Sequence, residues 1–266
     1  MLPGVGCRSG SCGSAVESSE GDQELSACRD HYRLLHQALG TVLEDSFVGV
    51  RSDAMAKSHA FTGDLALWLE VLKERPEVSV LQSAAREYQF GLLALASGQY
   101  RAAFSALRLA MELSFAAVQW SANERELREW QRGQRDSNWS GLIDNENGIF
   151  SKQFVRLFSE VLVDEISQYR ASAAAVYREC SEYVHGNAHT HRSLPEQLMF
   201  NEAAFSAWHA KASVVRLSVS FALAARYLLD LKAESRAQLE HMLLDNLGHS
   251  TGVRVMLGAP TEVANG

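Results

Sequence analysis

ISQYRASAAAVYRECSEYVHGN, residues 166–187, carries apolar side chains at Ile166, Tyr169, Ala173, Tyr177, Cys180 and Val184. Steps of three and four place these side chains on one face of an amphipathic helix. A half-buried strand would need strict alternation instead. Gly186 and Asn187 then supply the residue types that favour a left-handed helix end. The spacing therefore predicts a helix over 165–184.

The same period extends outward from this stretch. Helices are predicted over 24–44, with Leu25, Cys28, Tyr32, Leu35, Leu39 and Leu43 near one stripe, and over 64–75, opened by Asp64 as N-cap and closed by Pro76. Two more, 80–97 and 100–122, are joined by Gly98-Gln99. The text LLALASGQYRAAFSALRLAME resembles a single tetratricopeptide-type hairpin, but no second copy follows at a fixed period. A short helix is expected to end near Arg132, and others are predicted over 150–164, 201–233 and 236–247. Only 4 prolines interrupt the chain, and Val/Ile/Thr-rich alternating runs are missing. The reading is an all-α bundle of roughly eight helices. Its parts are a disordered segment 1–22, an N-terminal helical subdomain 23–79 packed on the core, the bundle proper over 80–247, and a flexible tail 248–266.

Composition narrows the function classes. The formal charge of -7 argues against broad attraction to nucleic-acid phosphates, so any RNA contact must be confined to a local patch. The cysteines Cys7, Cys12, Cys28 and Cys180 form no disulfide framework, and no second close pair accompanies them for metal binding. His185, His189 and His191 crowd one loop without a neighbouring carboxylate or thiolate, so no metal and no cofactor is predicted. The first 22 residues lack a basic start and an apolar stretch, and no apolar run reaches membrane-span length. A cytoplasmic protein with no membrane association is expected.

Chemistry concentrates at the end of the 165–184 helix. Arg178, Glu182 and His185 stand at i, i+4 and i+7, on one face beside the apolar stripe. A guanidinium grips phosphate through its planar fork, and an imidazole exchanges protons near neutral pH. The two side chains together suit phosphodiester chemistry without metal. Glu182 is placed to restrain Arg178 through an i,i+4 pair.

Here the chain resembles the HEPN superfamily, whose signature is Arg, four to six residues, then His; the match is Arg178-ECSEYV-His185. The resemblance implies an all-α bundle, often dimeric, with paired motifs forming one composite cleft. It further implies metal-independent endoribonuclease or toxin activity of the kind found in bacterial anti-phage defence, with Arg178 holding phosphate and His185 as acid/base group. Tyr183 before the histidine and Asn187 after it belong to the motif's surroundings. Glu179 stands where many catalytic members carry Asn, Asp or His. Arg108, in ALRLAMEL with Glu112, resembles a residue of the leading helix of that bundle.

Arg108, Arg132, Arg135 and His189 are further candidates for substrate contact. Arg125, Arg128, Arg132 and Arg135 with Trp130 and Trp139 suggest an RNA-binding surface, although Glu124, Glu126 and Glu129 are interleaved and favour a salt-bridged exposed helix. Apolar residues on more than one side of the 201–233 helix point to a central position or a subunit interface, and a homodimer is expected. Three functions remain open. They are a HEPN-like ribonuclease, with RNA and a protein partner or antitoxin; a catalytically silent HEPN-like module binding a nucleotide, RNA or protein; and an unrelated helical interaction protein.

Overall fold

The computed structural model describes residues 14–185 and 187–260, and the side chains of 14–21 and His189 lie outside that description. Every regular element in it is helical. The α-helices are α1 (Ser14–Ser46), α2 (Val50–Val71), α3 (Val78–Ala96), α4 (Tyr100–Trp120), α5 (Glu124–Gln131), α6 (Trp139–Leu142), α7 (Lys152–Ser159), α8 (Ile166–Val184), α9 (Ala188–Ser193), α10 (Glu202–Tyr227), α11 (Ala233–Leu247) and α12 (Thr251–Leu257), with a 3-10 turn at Glu160–Leu162. The all-α expectation holds, but twelve helices stand among the described residues where about eight were predicted.

The excess is α6, α9 and α12, short helices in polar or turn-rich text. Side chains that accept a backbone N–H open three of the short helices, Asn123 from Glu126, Ser151 from Phe154 and Ser250 from Val253, as well as the long α10, Asn201 from Ala204. Such capping stabilises a helix start by about 1 kcal/mol without any long apolar stripe. The predicted start at Asp64 is wrong, because α2 begins at Val50 and buries Met55, Ser58, Phe61, Leu65 and Trp68 at helical spacing. The His-rich loop is helix α9. The tail is not slack throughout: α12 buries Val253 and Met256, while residues 261–266 lie outside the described region. Helix α1 starts at Ser14, inside the segment read as disordered, whose residues 1–13 are not described.

The α3–α4 hairpin turns at Gly98, whose φ of 71° is left-handed. An added Cβ there would meet both Val42 methyls at 3.3 Å, because α1 docks its last turns against the hairpin. Helix α10 occupies the centre, touching α2, α4, α7, α8 and α11. Every residue from Ser218 to Leu228 is buried. Its broad apolar surface is thus used within the protomer and supplies no argument for a dimer. One apolar cluster runs from Met55 to Met256, with α2 contributing to it. Among the described residues no helix is long and apolar enough to cross a membrane.

Candidate functional site

Helix α8 is held on the bundle by Ile166, Tyr169, Ala173, Val176 and Cys180, all buried against α4 and α10. Burial pushes the Cys180 thiol up to about 12, so it behaves as a small apolar side chain. The face beside this stripe points outward. Arg178, Glu179, Glu182 and His185 are exposed there.

Arg178 and His185 do not meet within one protomer. Seven residues of helix separate their backbones by about 10 Å along the axis. The Cα–Cβ bonds of a helix lean towards its N-terminus, which carries the Arg178 side chain away from His185. His185 itself ends the helix with extended backbone, φ −83° and ψ 149°. Neither side chain has a hydrogen-bond or ion-pair partner among the described residues. The expected Arg178–Glu182 pair is not formed; Glu182 instead offers its carbonyl to the Thr190 hydroxyl at 3.3 Å.

The neighbouring candidates are structural in this arrangement. Glu179 is paired with Lys211 of α10 at 2.6 Å, an ion pair that offsets part of its negative charge beside Arg178. Tyr183 lies flat on Phe104, ring centroids 3.9 Å apart, and desolvation raises its hydroxyl pKa. Asn187 donates its N–H to the His185 carbonyl at 2.7 Å and accepts from the Thr190 hydroxyl at 2.9 Å, which folds the chain back into α9.

Arg101, which the sequence reading passed over, closes the open end of α8. Its guanidinium donates to the Val184 carbonyl at 3.0 Å and reaches His191 Nε2 at 3.4 Å. A cation at a helix C-terminus satisfies an orphan carbonyl and the helix dipole together. Beside it lies a groove of about 570 Å³, formed by the start of α4 and the segment 194–198. His185, Arg101 and His191 therefore share one end of the bundle with a surface depression.

Arg108 does not face this surface freely, contrary to expectation. Its Nε donates to Ser181 Oγ at 3.0 Å and its Nη2 donates to the Tyr177 hydroxyl. The Tyr177 hydroxyl in turn donates to Glu112 Oε2 at 2.9 Å, and Ser137 donates to Glu112 Oε1 at 2.6 Å. Desolvation, with the Glu112 carboxylate second, pushes the Tyr177 hydroxyl up to about 12. Trp139 covers the network by stacking on Tyr177. These donors and acceptors satisfy one another, so Arg108 ties α4 to α8 instead of awaiting a substrate. The sequence reading did not find this network; the same-face i,i+4 pairs Arg108/Glu112 and Tyr177/Ser181 are the signal that could have pointed to it.

The Arg-rich segment follows its salt-bridged reading. Arg125 pairs with Glu129 at 2.8 Å, Arg128 with Glu124 at 2.5 Å, and Arg135 with both Glu126 and Glu129. Arg135 is thereby engaged, whereas Arg132 is exposed. Trp130 packs on Trp120 and Trp139 on Phe115, so the tryptophans anchor the connecting segment. The side chain of His189 falls outside the described residues. Among the described residues no group of three His, Cys, Asp or Glu is placed to hold a metal ion. No family model, no curated protein and no solved structure matches this chain.

Proposed function

We propose that this protein is a HEPN-like endoribonuclease that cleaves RNA without metal, through Arg178 and His185. One observation carries the reading: on a helix whose Tyr177, Glu179 and Ser181 all have partners, Arg178 and His185 stay exposed and unengaged. Exposed polar groups left over from an anchored helix are available for a ligand.

Because the two side chains diverge in one copy, the complete site takes a second copy, each contributing one motif. In such a cleft one His185 removes the ribose 2′-hydroxyl proton. The 2′-oxygen attacks phosphorus, the bond to the 5′-oxygen breaks, and the partner's His185 returns a proton to that leaving oxygen. The Arg178 guanidinia hold the phosphate oxygens as charge builds on them. The products are a 2′,3′-cyclic phosphate and a 5′-hydroxyl. Single-stranded RNA incubated in excess chelator checks this: cleavage with those termini is expected from the wild type and is lost in Arg178→Ala and in His185→Ala.

A second reading has its own support. Glu179 and Glu182 flank Arg178, and the motif residues stand apart in the protomer. A catalytically silent module that binds RNA or a protein partner fits these facts. RNA retention by the wild type with no cleavage, in dimeric protein, selects it over the first.

A further inference from the structure

A second cavity, of about 360 Å³, opens between α2 and α10 over Tyr88 of α3, and no residue of α8 lines it. Its size falls at the small end of ligand pockets. The floor is built from fully packed side chains. Ser58 Oγ and His209 Nδ1 are 2.7 Å apart, and the Tyr88 hydroxyl donates to the Ser58 carbonyl at 2.8 Å. Ser58, Tyr88, His209 and Ala212 are each at least nine-tenths buried. The His209 Nε2 has no hydrogen-bond partner among the described residues, and burial lowers its pKa to about 4, so the ring is neutral.

The rim is charged and unbalanced. Lys57 and Arg216 face it with no ion pair among the described residues, while Asp53 is the single carboxylate lining it. Arg216 makes one long hydrogen bond, 3.4 Å to the Lys57 carbonyl, and its Nε is shielded from solvent without an acceptor. A partly buried guanidinium with unused donors favours an acceptor that brings negative charge. Among the lining residues two cations stand against one anion, with Asp64 acting on Arg216 from outside the cavity, so the lining itself carries a single net positive charge and matches a monoanion. A doubly charged oxyanion would meet Asp53. The remaining walls, including Ala54, Tyr88 and Ala212, are apolar or aromatic.

We infer that this cavity is a binding site for a small organic monocarboxylate with a compact apolar body. Its carboxylate rests on Arg216 and Lys57, and its body lies against Val50 and Ala54, above the closed floor of Tyr88 and Ala212. The neutral Ser58–His209 edge closes the floor without opposing charge.

Ligand-observed NMR titration of the full chain with benzoate tests the assignment, with benzamide and inorganic phosphate as parallel probes. Saturable benzoate binding is expected, with benzamide weaker by about tenfold or more because it cannot supply the charge. Arg216→Gln is expected to weaken benzoate by a similar factor, and Ser213→Trp, an exposed rim substitution, to block it while the circular dichroism stays unchanged. Equal binding of benzoate and benzamide overturns the proposal. So does binding that survives Arg216→Gln or Ser213→Trp, phosphate binding tighter than benzoate, or no saturable benzoate binding in the millimolar range. Arg178→Ala is expected to bind benzoate as the wild type does, so this site stands or falls separately from RNA cleavage.

Discussion

The indole of Trp139 lies flat on the phenol ring of Tyr177, with centroids 3.7 Å apart and planes 1° from parallel. The other face of Tyr177 receives the Arg108 guanidinium, 4.3 Å from the ring centre. A helix α6 tryptophan, a helix α8 tyrosine and a helix α4 arginine thus form one stack. That stack shields the Tyr177–Glu112 hydrogen bond from water, which strengthens it and makes its disruption costly.

Tyr177→Phe keeps the stack but removes the hydroxyl between Arg108 and Glu112, and is expected to cost about 1–2 kcal/mol. Arg108→Met leaves Glu112 charged in a nearly closed site and should cost about 3 kcal/mol. Pairing Arg108→Met with Glu112→Gln should recover part of that loss, because the unpaired charge is removed. Urea denaturation of these three variants and of Glu112→Gln alone checks the order. Additive losses in the double variant would argue against a shared network.

Arg178→Ala and His185→Ala remove exposed side chains with no partners among the described residues. Each is expected to change stability by no more than about 0.5 kcal/mol. Thermal melts measure this directly, and a large loss in either would place these residues in the framework.

His209 links stability to pH. An imidazole in the unfolded chain titrates near 6.5, whereas burial holds His209 near about 4 in the fold. Between those values the unfolded chain binds a proton that the native state refuses. Stability therefore falls as pH drops from 6.5 towards 4, by roughly 2–3 kcal/mol from this residue. Asp64 acts in the opposite sense: burial raises its pKa, so its contribution is present at low pH and is lost as pH rises through that raised value. Denaturation of wild type and His209→Gln at pH 7.5 and 5 should show a flatter pH response in the variant, with Asp64→Asn as control.

Cys28 is exposed and Cys180 is buried. With its pKa pushed up to about 12, Cys180 has about one thiolate in ten thousand at pH 8. In a chain carrying Cys7→Ser and Cys12→Ser, maleimide should modify Cys28 quickly and Cys180 only after denaturant is added, as read by mass spectrometry. Prompt labelling of Cys180 in buffer would mean that α8 separates readily from α4 and α10.

Gly98→Ala places a Cβ against Val42 in a left-handed backbone. A loss of about 1–2 kcal/mol is expected. A thermal midpoint equal to wild type would show that α1 yields at this contact.

Much of the fold was readable in the text. The stripe from Ile166 to Cys180 predicted a helix over 165–184, and α8 occupies Ile166–Val184. Gly98-Gln99 located the α3–α4 turn. These features are local, set by spacing and by what glycine's backbone tolerates. Helix α12 was harder because its start rests on a single capping side chain, Ser250. Helix α9 was missed in a segment that its histidines made look like loop. The early start of α2 was missed too, since Gly63-Asp64 reads as a helix opening until the burial of Met55, Ser58 and Phe61 is known.

Sequence alone determined which residues share a helix face, because helical periodicity is a property of neighbours along the chain. It placed Arg178 and His185 on one outward strip and Cys180 on the inward one. Only the tertiary structure decided which charges are already neutralised. Arg108 meets Tyr177 and Ser181, 69 and 73 positions away, and Glu179 meets Lys211. Pairing between distant helices depends on how whole helices pack, and no local spacing encodes that.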